Sequence, residues 1–196
     1  GKLLCDIGAG EGQFLEIISD ENYQAKVFGI EPSEKNCNLL QKNGFDNFNG
    51  TIEEYAISNQ FIENKFDIIT IMWTLVNCYS CLDMVNIAYK MLKPGGHLVV
   101  AEGSRILVPF KKPLNMYFGH QLVDLHPYHF SANSLSNLLK VNNFKIENTN
   151  RYIDSDILCI IGTKTDIESE QKFEVDEYVK ILNFFDRWDK ETKFYY

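Results

Sequence analysis

The sequence lacks a long apolar run, and this absence removes one class of protein from consideration. A helix that crosses a bilayer needs roughly 20 consecutive apolar residues. The longest apolar stretch here, residues 68–76, is interrupted by Thr70 and Thr74 and has the length of a buried strand. We therefore expect no membrane partner.

Basic residues are also few. The formal net charge is -8, and the chain contains no Lys/Arg cluster larger than the pair Lys111-Lys112. Proteins that bind nucleic acid usually present a basic face that displaces counterions from the phosphates. We therefore expect a small-molecule partner and no nucleic acid.

The cysteines do not form a secreted-type disulfide framework. There are five of them, an odd number scattered along the chain, which favours reduced thiols and a cytoplasmic location. Cys78 and Cys81 match the C-x-x-C pattern of redox and zinc sites. No second pair and no histidine lie at ligand spacing, so we expect no metal site.

The chain begins with Gly1 rather than methionine, and the first predicted strand starts almost at once. This start is typical of a domain taken from a longer protein. Flanking segments of that longer chain, or a second copy of this one, are therefore expected as contacts.

Strand-like and helix-like segments alternate from the start of the chain. Five strands are predicted at residues 2–7, 27–30, 45–48, 66–72 and 97–101, followed by two consecutive strands at 144–149 and 157–163. Alternation of this kind is typical of a doubly wound parallel sheet. We predict an α/β fold with a mostly parallel seven-stranded sheet and an antiparallel strand at one edge.

Helices are predicted between these strands and at the C-terminus. The first three cover residues 12–19, 34–41 and 83–92, and a fourth begins at Ser131. The third is predicted to be capped by Asp83. The segment 166–196 is predicted to form a separate amphipathic extension of the main domain, 1–165. Its apolar stripe consists of Val175, Tyr178, Val179, Leu182 and Phe185.

The most informative motif is the loop after the first strand. Residues 8–12 read Gly-Ala-Gly-Glu-Gly, with Asp6 two positions earlier. Glycines allow a sharp turn and a close approach of ligand to backbone. A NAD site would require G-x-G-x-x-G, with glycine where this chain has Gln13.

The loop resembles motif I of the class I S-adenosylmethionine-dependent methyltransferases, [D/E]-x-G-x-G-x-G. Glu31, which ends the second strand about twenty residues later, is similarly placed to accept both ribose hydroxyls. The fold expected from this resemblance is Rossmann-like, and the implied cofactor is S-adenosylmethionine. The residues implied to bind the cofactor are Asp6, Gly8, Ala9, Gly10, Gly12, Glu31, Pro32, Thr51, Ile52, Glu53 and Trp73.

Further segments are similar to the same family. Residues 49–53 resemble its adenine-binding segment, with Thr51 where Asp is common, and residues 66–69 and 92–96 resemble its fourth-strand motif and the turn before strand five. Two features depart from the family. Val76-Asn77 stands where many members carry Glu-His, and the helices that usually precede motif I are absent.

The segment 103–130 has no steady period and is rich in aromatic residues and histidines, which is typical of a lid or binding loop. Residues 126–131 resemble the H-x-x-x-F-S stretch of family members that methylate sugars, quinones and similar metabolites. His126 and His129 are therefore candidate general bases, because histidine titrates near neutral pH. The candidate acceptor contacts are Asn77, Glu102, Arg105 and Tyr128.

We therefore predict in-line methyl transfer to a small polar acceptor, such as a sugar or a sugar-derived metabolite. A non-catalytic methyltransferase-like module that only binds the cofactor is one alternative. An NAD-dependent Rossmann enzyme is another. Measuring which cofactor binds separates the NAD-dependent enzyme from the methyltransferase. Measuring turnover with candidate acceptors separates the non-catalytic module from the methyltransferase.

Overall fold

A computed structural model describes residues 1–20, 23, 25–103, 126–150, 157–165 and 177–192, in which strands and helices alternate. The strands are β1 (Leu3–Ile7), β2 (Lys26–Glu31), β3 (Asp46–Asn49), β4 (Phe66–Met72), β5 (Leu92–Glu102), β6 (Phe144–Thr149) and β7 (Leu158–Lys164). The α-helices are α1 (Gln13–Ser19), α2 (Glu34–Lys42), α3 (Ile52–Ile57), α4 (Cys81–Met91), α5 (Ala132–Val141) and α6 (Glu177–Thr192). A short 3₁₀ turn, Leu75–Asn77, follows β4.

The seven strands form one sheet in the order β3-β2-β1-β4-β5-β7-β6. Strands β1 to β5 are parallel, whereas β7 runs antiparallel to both β5 and β6. The predicted fold is confirmed, and the antiparallel strand lies one place inside the edge strand β6. The strand order reverses between β1 and β4, which is where open α/β sheets bind ligands beyond the carboxyl ends of their strands.

The central strands are buried on both faces, as parallel strands covered by helices must be. Leu4 and Cys5 lie on opposite faces of β1 and are both buried, as are Thr70 and Ile71 in β4. The continuous apolar composition of these strands is what made them recognisable in the sequence.

Helices α2, α3, α4 and α5 begin at hydroxyl side chains that accept backbone N–H groups. Ser80 Oγ accepts from the N–H of Asp83 at 3.2 Å, so Ser80 is the N-cap of α4. The prediction that Asp83 caps this helix was wrong by three residues. The Asp83 carboxylate instead lies in the first turn, where it interacts favourably with the positive end of the helix dipole.

Two segments differ from the predicted elements. Helix α3 was not anticipated, although Thr51 and Glu54 form a capping box at its start. Strand β5 begins at Leu92 rather than at residue 97, and its register against β4 shifts between the Phe66–Leu92 and Ile68–His97 pairs. The Pro-Gly-Gly sequence therefore makes a bulge within the strand rather than a turn before it.

The C-terminal helix exists, but its buried face is not the predicted one. Tyr178 and Leu182 are 64% and 62% exposed, while Glu177, Trp188 and Thr192 are buried. Two residues set the orientation of the helix. Trp188 is its largest apolar side chain and is buried, and Glu177 Oε1 accepts a hydrogen bond from Ser131 Oγ at 2.7 Å. Tyr178, Val179 and Leu182 of the predicted stripe are thus exposed, and Phe185 is partly buried. The first member of the stripe, Val175, lies outside the described residues.

Of the helices that the structure describes, none combines the length and the apolar composition that a bilayer-crossing segment requires.

Candidate active site

A cavity of about 240 Å³ opens at the carboxyl ends of β1, β2, β3 and β4. It is therefore centred on the point where the strand order reverses. The described residues that line it are Ile7, Gly8, Ile30, Pro32, Gly50, Thr51, Ile52, Glu53, Thr74, Asn77, Cys78, Tyr79 and Met84. This wall is mostly apolar and includes one carboxylate, Glu53, but no lysine or arginine.

Gly8, the first residue of the glycine loop, lines the cavity beside β1. Gly8 has a φ of 79°, and a Cβ at this position would lie 2.1 Å from Thr74 Oγ1. Gly12 has a φ of 89°, and a Cβ there would lie 2.5 Å from Leu40 Cδ2. Both positions need glycine for conformation and for space. Ala9 is buried between them and packs with Leu15 and Leu40.

Glu31 connects the end of β2 to this loop. Its Oε2 accepts from the N–H of Gly10 at 2.9 Å, and its Oε1 accepts from the N–H of Ser33 at 2.9 Å. An ionised carboxylate can accept about four hydrogen bonds. Oε1 also accepts from Asn36 Nδ2 at 3.4 Å, so the side chain retains capacity for about one further donor on a ligand.

Asp6 lies beneath the loop and is almost fully buried. Thr70 Oγ1 donates to its Oδ1 at 2.5 Å. Burial raises the pKa of Asp6 to about 6, and the nearby Glu31 adds to the rise, while the Thr70 hydrogen bond opposes it. Together, Asp6, Glu31 and Glu53 make this part of the site electronegative, which suits a ligand that carries positive charge.

The far wall of the cavity is the start of α3. Thr51 Oγ1 accepts from the N–H of Glu54 at 3.2 Å, and Glu54 Oε2 accepts from the N–H of Thr51 at 2.7 Å. This capping box fixes the backbone at Thr51, Ile52 and Glu53, all of which line the cavity. Pro32 and Ile52 give the wall apolar surface against which a planar ring can pack.

The end of β4 carries a strained residue. Trp73 has a φ of 52°, a backbone conformation that residues other than glycine rarely adopt. Such strain clusters at functional sites. Its N–H donates to the carbonyl of Ala101 at 2.8 Å. The Trp73 ring is 53% exposed and is not among the residues that line the cavity. It lies towards Gly103, since a Cβ on that glycine would lie 3.2 Å from Trp73 Nε1.

Glu102 is not presented to the cavity, contrary to its predicted role as an acceptor contact. The side chain is 1% exposed, and its Oε1 accepts from the N–H groups of Thr74 at 3.2 Å and Leu75 at 2.7 Å. The backbone donors at the start of the 3₁₀ turn draw the carboxylate inward. Burial raises the pKa of Glu102 to about 7, although these donors lower it.

Residues 126–130 reach the mouth of the cavity through two hydrogen bonds. His126 Nδ1 lies 2.6 Å from Asn77 Oδ1, and Tyr128 Oη donates to the carbonyl of Tyr79 at 2.9 Å. The His126 and His129 ring centroids are 6.5 Å apart. The structure therefore brings Asn77, Tyr128 and both histidines together, whereas Arg105 lies outside the described residues.

Sequence reasoning did not identify several of the lining residues. Thr74, Cys78, Tyr79 and Met84 belong to the segment after β4, whose approach to β1 depends on sheet order. The C-x-x-C spacing marked part of this segment, but all five cysteines are free. Among the described residues, no group of three or more His, Cys, Asp or Glu side chains could hold a metal ion.

This combination of strand order, glycine loop, strand-end glutamate and cavity defines a Rossmann-like fold of the methyltransferase type. Residues 5–100 match a family described as "Methyltransferase domain". Residues 5–100 therefore carry a methyltransferase domain, and their motifs resemble those of the class I S-adenosylmethionine-dependent enzymes.

Curated relatives and solved structures agree with this assignment. The chain is 27% identical over 119 residues to demethylmenaquinone methyltransferase of Bacteroides fragilis, covering 59% of this chain and 47% of the relative. It is 30% identical over 129 residues to ubiquinone/menaquinone biosynthesis C-methyltransferase UbiE of Vibrio parahaemolyticus, covering 62% and 49%. The chain thus spans about half the length of these relatives.

A putative S-adenosylmethionine-dependent methyltransferase from Listeria monocytogenes has the same fold. Its structure superposes with a TM-score of 0.65 at 20% identity, over 84% of this chain and 92% of that one. At this identity the likeness concerns the fold alone.

Proposed function

We propose that this domain transfers the methyl group of S-adenosylmethionine to a ring carbon of a small quinone-type acceptor in its reduced form. The observation that carries the proposal is the cavity at the strand reversal, which Gly8 of the glycine loop lines, with Glu31 bonded to the same loop at Gly10. The free cysteines support action in a reducing, cytoplasmic compartment.

The residues present fit the cofactor. The glycine loop allows close approach beside Gly8, and Glu31 keeps acceptor capacity for a ribose hydroxyl. Pro32 and Ile52 offer apolar surface to an adenine ring. Asp6 and Glu31 supply negative charge to a cofactor that is cationic at its sulfonium and its amino group.

The names of the relatives and the exposed aromatic side chains that follow β4 support this acceptor class. Both curated relatives carry quinone names, one of them as a C-methyltransferase. Trp73 is 53% exposed and Tyr79 is 95% exposed, and aromatic faces of this kind stack on planar rings. We therefore propose a quinone-type ring in place of the sugar that the sequence favoured.

When bound, S-adenosylmethionine would supply an electrophilic methyl group, and its sulfur would keep the electron pair of the broken bond. In this proposal His126 accepts the proton of a ring hydroxyl while the adjacent ring carbon forms its bond to the methyl carbon. That carbon then loses its proton to solvent and His126 returns its proton to the ring oxygen, which restores the aromatic ring and its hydroxyl. Tyr128 helps to orient the ring, and His129 is the second candidate base.

A methyl-transfer assay with radiolabelled cofactor tests the proposal. Reduced short-chain demethylated quinones and nucleotide sugars are offered in parallel. We expect label only in the quinone products, whereas label in the sugars would replace the acceptor class. Cofactor binding without transfer to any acceptor would favour the non-catalytic module.

A further inference from the structure

Asn77 connects the strained end of β4 to the segment that carries His126. Its Nδ2 donates to the carbonyl of Trp73 at 3.2 Å, and its Oδ1 lies 2.6 Å from His126 Nδ1. Asn77 also lines the cavity. One amide therefore links the mouth of the site to a candidate base.

The orientation of this amide decides which nitrogen of His126 carries hydrogen. A carbonyl oxygen can accept hydrogen bonds but cannot donate one, so Trp73 must receive the NH₂ side of Asn77. Asn77 Oδ1 then faces His126, and the 2.6 Å contact requires a hydrogen on Nδ1. In the neutral ring the basic lone pair is consequently on Nε2.

The amide is itself held in place by the surrounding backbone. Asn77 ends the 3₁₀ turn, and its N–H donates to the carbonyl of Thr74 at 3.0 Å. Glu102 binds the first N–H groups of the same turn. The left-handed backbone conformation of Trp73 comes just before this turn. The strained residue therefore helps to set the position of the Asn77 amide, which donates to its carbonyl.

We propose that Asn77 is a positioning residue, which holds His126 as the Nδ1–H tautomer so that Nε2 receives the proton from the acceptor. The inference rests on the proposed function, and it singles out His126 rather than His129 as the base. It also replaces the predicted role of Asn77 as an acceptor contact.

The test compares Asn77→Leu with Asn77→Asp. Leucine has a similar volume but cannot accept the Nδ1–H bond, whereas aspartate can accept it and cannot donate to Trp73. Nitrogen-15 NMR of the histidine rings reports the tautomer directly and needs no turnover. His126→Gln assigns the His126 signals. His97 is an internal reference, because its Nδ1 lies 3.0 Å from Thr163 Oγ1 and its place in the sheet is remote from Asn77.

We expect Nδ1–H at His126 in the parent protein and in Asn77→Asp, with loss of that preference in Asn77→Leu. We also expect kcat to fall about tenfold or more in Asn77→Leu, within the ~10²–10⁴ that a general base contributes, and to recover at least partly in Asn77→Asp. The dissociation constant for the cofactor, measured on each variant, separates lost binding from lost proton transfer.

Nε2–H at His126 in the parent protein would overturn the inference, as would unchanged kcat in Asn77→Leu. Absence of cofactor binding in the parent protein would instead overturn the proposed function, and the catalytic part of the inference with it. The tautomer measurement keeps the two failures distinct, because it depends on neither cofactor nor acceptor.

Discussion

The backbone N–H of Gly10 donates a hydrogen bond to Glu31 Oε2 at 2.9 Å, which joins the glycine loop to the end of β2. The same carboxylate is proposed to accept a ribose hydroxyl of the cofactor. We therefore propose two roles for Glu31, which shapes the loop before the ligand arrives and binds the ligand afterwards.

Replacing Glu31 with alanine should weaken cofactor binding at least tenfold, because charge-assisted hydrogen bonds contribute about 1.5–3 kcal/mol each. Loss of the Gly10 and Ser33 contacts should also lower the free energy of unfolding by about 1–3 kcal/mol. Calorimetric titration and denaturant unfolding measure the two effects. Glu34→Ala, which removes an exposed carboxylate three residues away, should leave affinity unchanged. Equal affinity in Glu31→Ala and the parent protein would exclude Glu31 from the binding site.

Glu102 should make folding stability depend on pH. Its folded pKa is about 7, above its ordinary value of 4.5, so the folded protein retains a proton that the unfolded chain has released. Its contribution to the free energy of unfolding is therefore highest below pH 4.5 and is lost as pH rises to about 7. Glu102→Gln should match the parent protein at pH 4 and exceed it by about 1–3 kcal/mol at pH 8. Urea unfolding across this range is the measurement, and a constant difference between the two proteins would contradict the assignment.

Asp6 should couple cofactor binding to pH. Its pKa is raised to about 6 by burial, and a bound cation favours the ionised form. Affinity for S-adenosylmethionine should therefore rise between pH 5 and pH 7.5, with a proton released on binding below about pH 6. Asp6→Asn should bind more weakly at pH 7.5 and lose most of this pH dependence. Calorimetry in buffers of different ionisation enthalpy counts the protons, and an unchanged pH profile in Asp6→Asn would place the dependence elsewhere.

His126 and His129 can be distinguished by their separate substitution. If His126 is the base, His126→Ala should lower kcat by about 10²–10⁴ while the dissociation constant for the cofactor stays the same. His129→Ala should then lower kcat much less. Steady-state kinetics with a reduced quinone acceptor measures both variants. The reverse ranking would assign the base to His129.

Much of the fold could be predicted from local sequence, because its signals act over short distances. The glycine loop between β1 and α1, the apolar composition of β4 and the serine at the start of α5 each identify their element without tertiary information. The face of α6 could not be predicted, because it is set by the burial of Trp188 and the contact of Glu177 with Ser131.

The candidate site also contains some residues that local sequence identifies and some contacts that it does not. Glu31 was recognisable from its spacing after the glycine loop. Glu102 turns inward to accept from the N–H of Leu75, which is 27 positions away in the sequence. Asn77 contacts His126, which is 49 positions away. Such contacts depend on sheet order and on a strained backbone at Trp73, neither of which has a short-range pattern.

We expect this domain to bind S-adenosylmethionine at the loop between β1 and α1. Calorimetric titration of the purified chain with S-adenosylmethionine, and separately with NAD, measures this binding. We predict saturable binding of S-adenosylmethionine and no binding of NAD. Mass action should stabilise the fold by about 2.7 kcal/mol when S-adenosylmethionine is present at 100 times its dissociation constant. Binding of NAD without binding of S-adenosylmethionine would contradict the account.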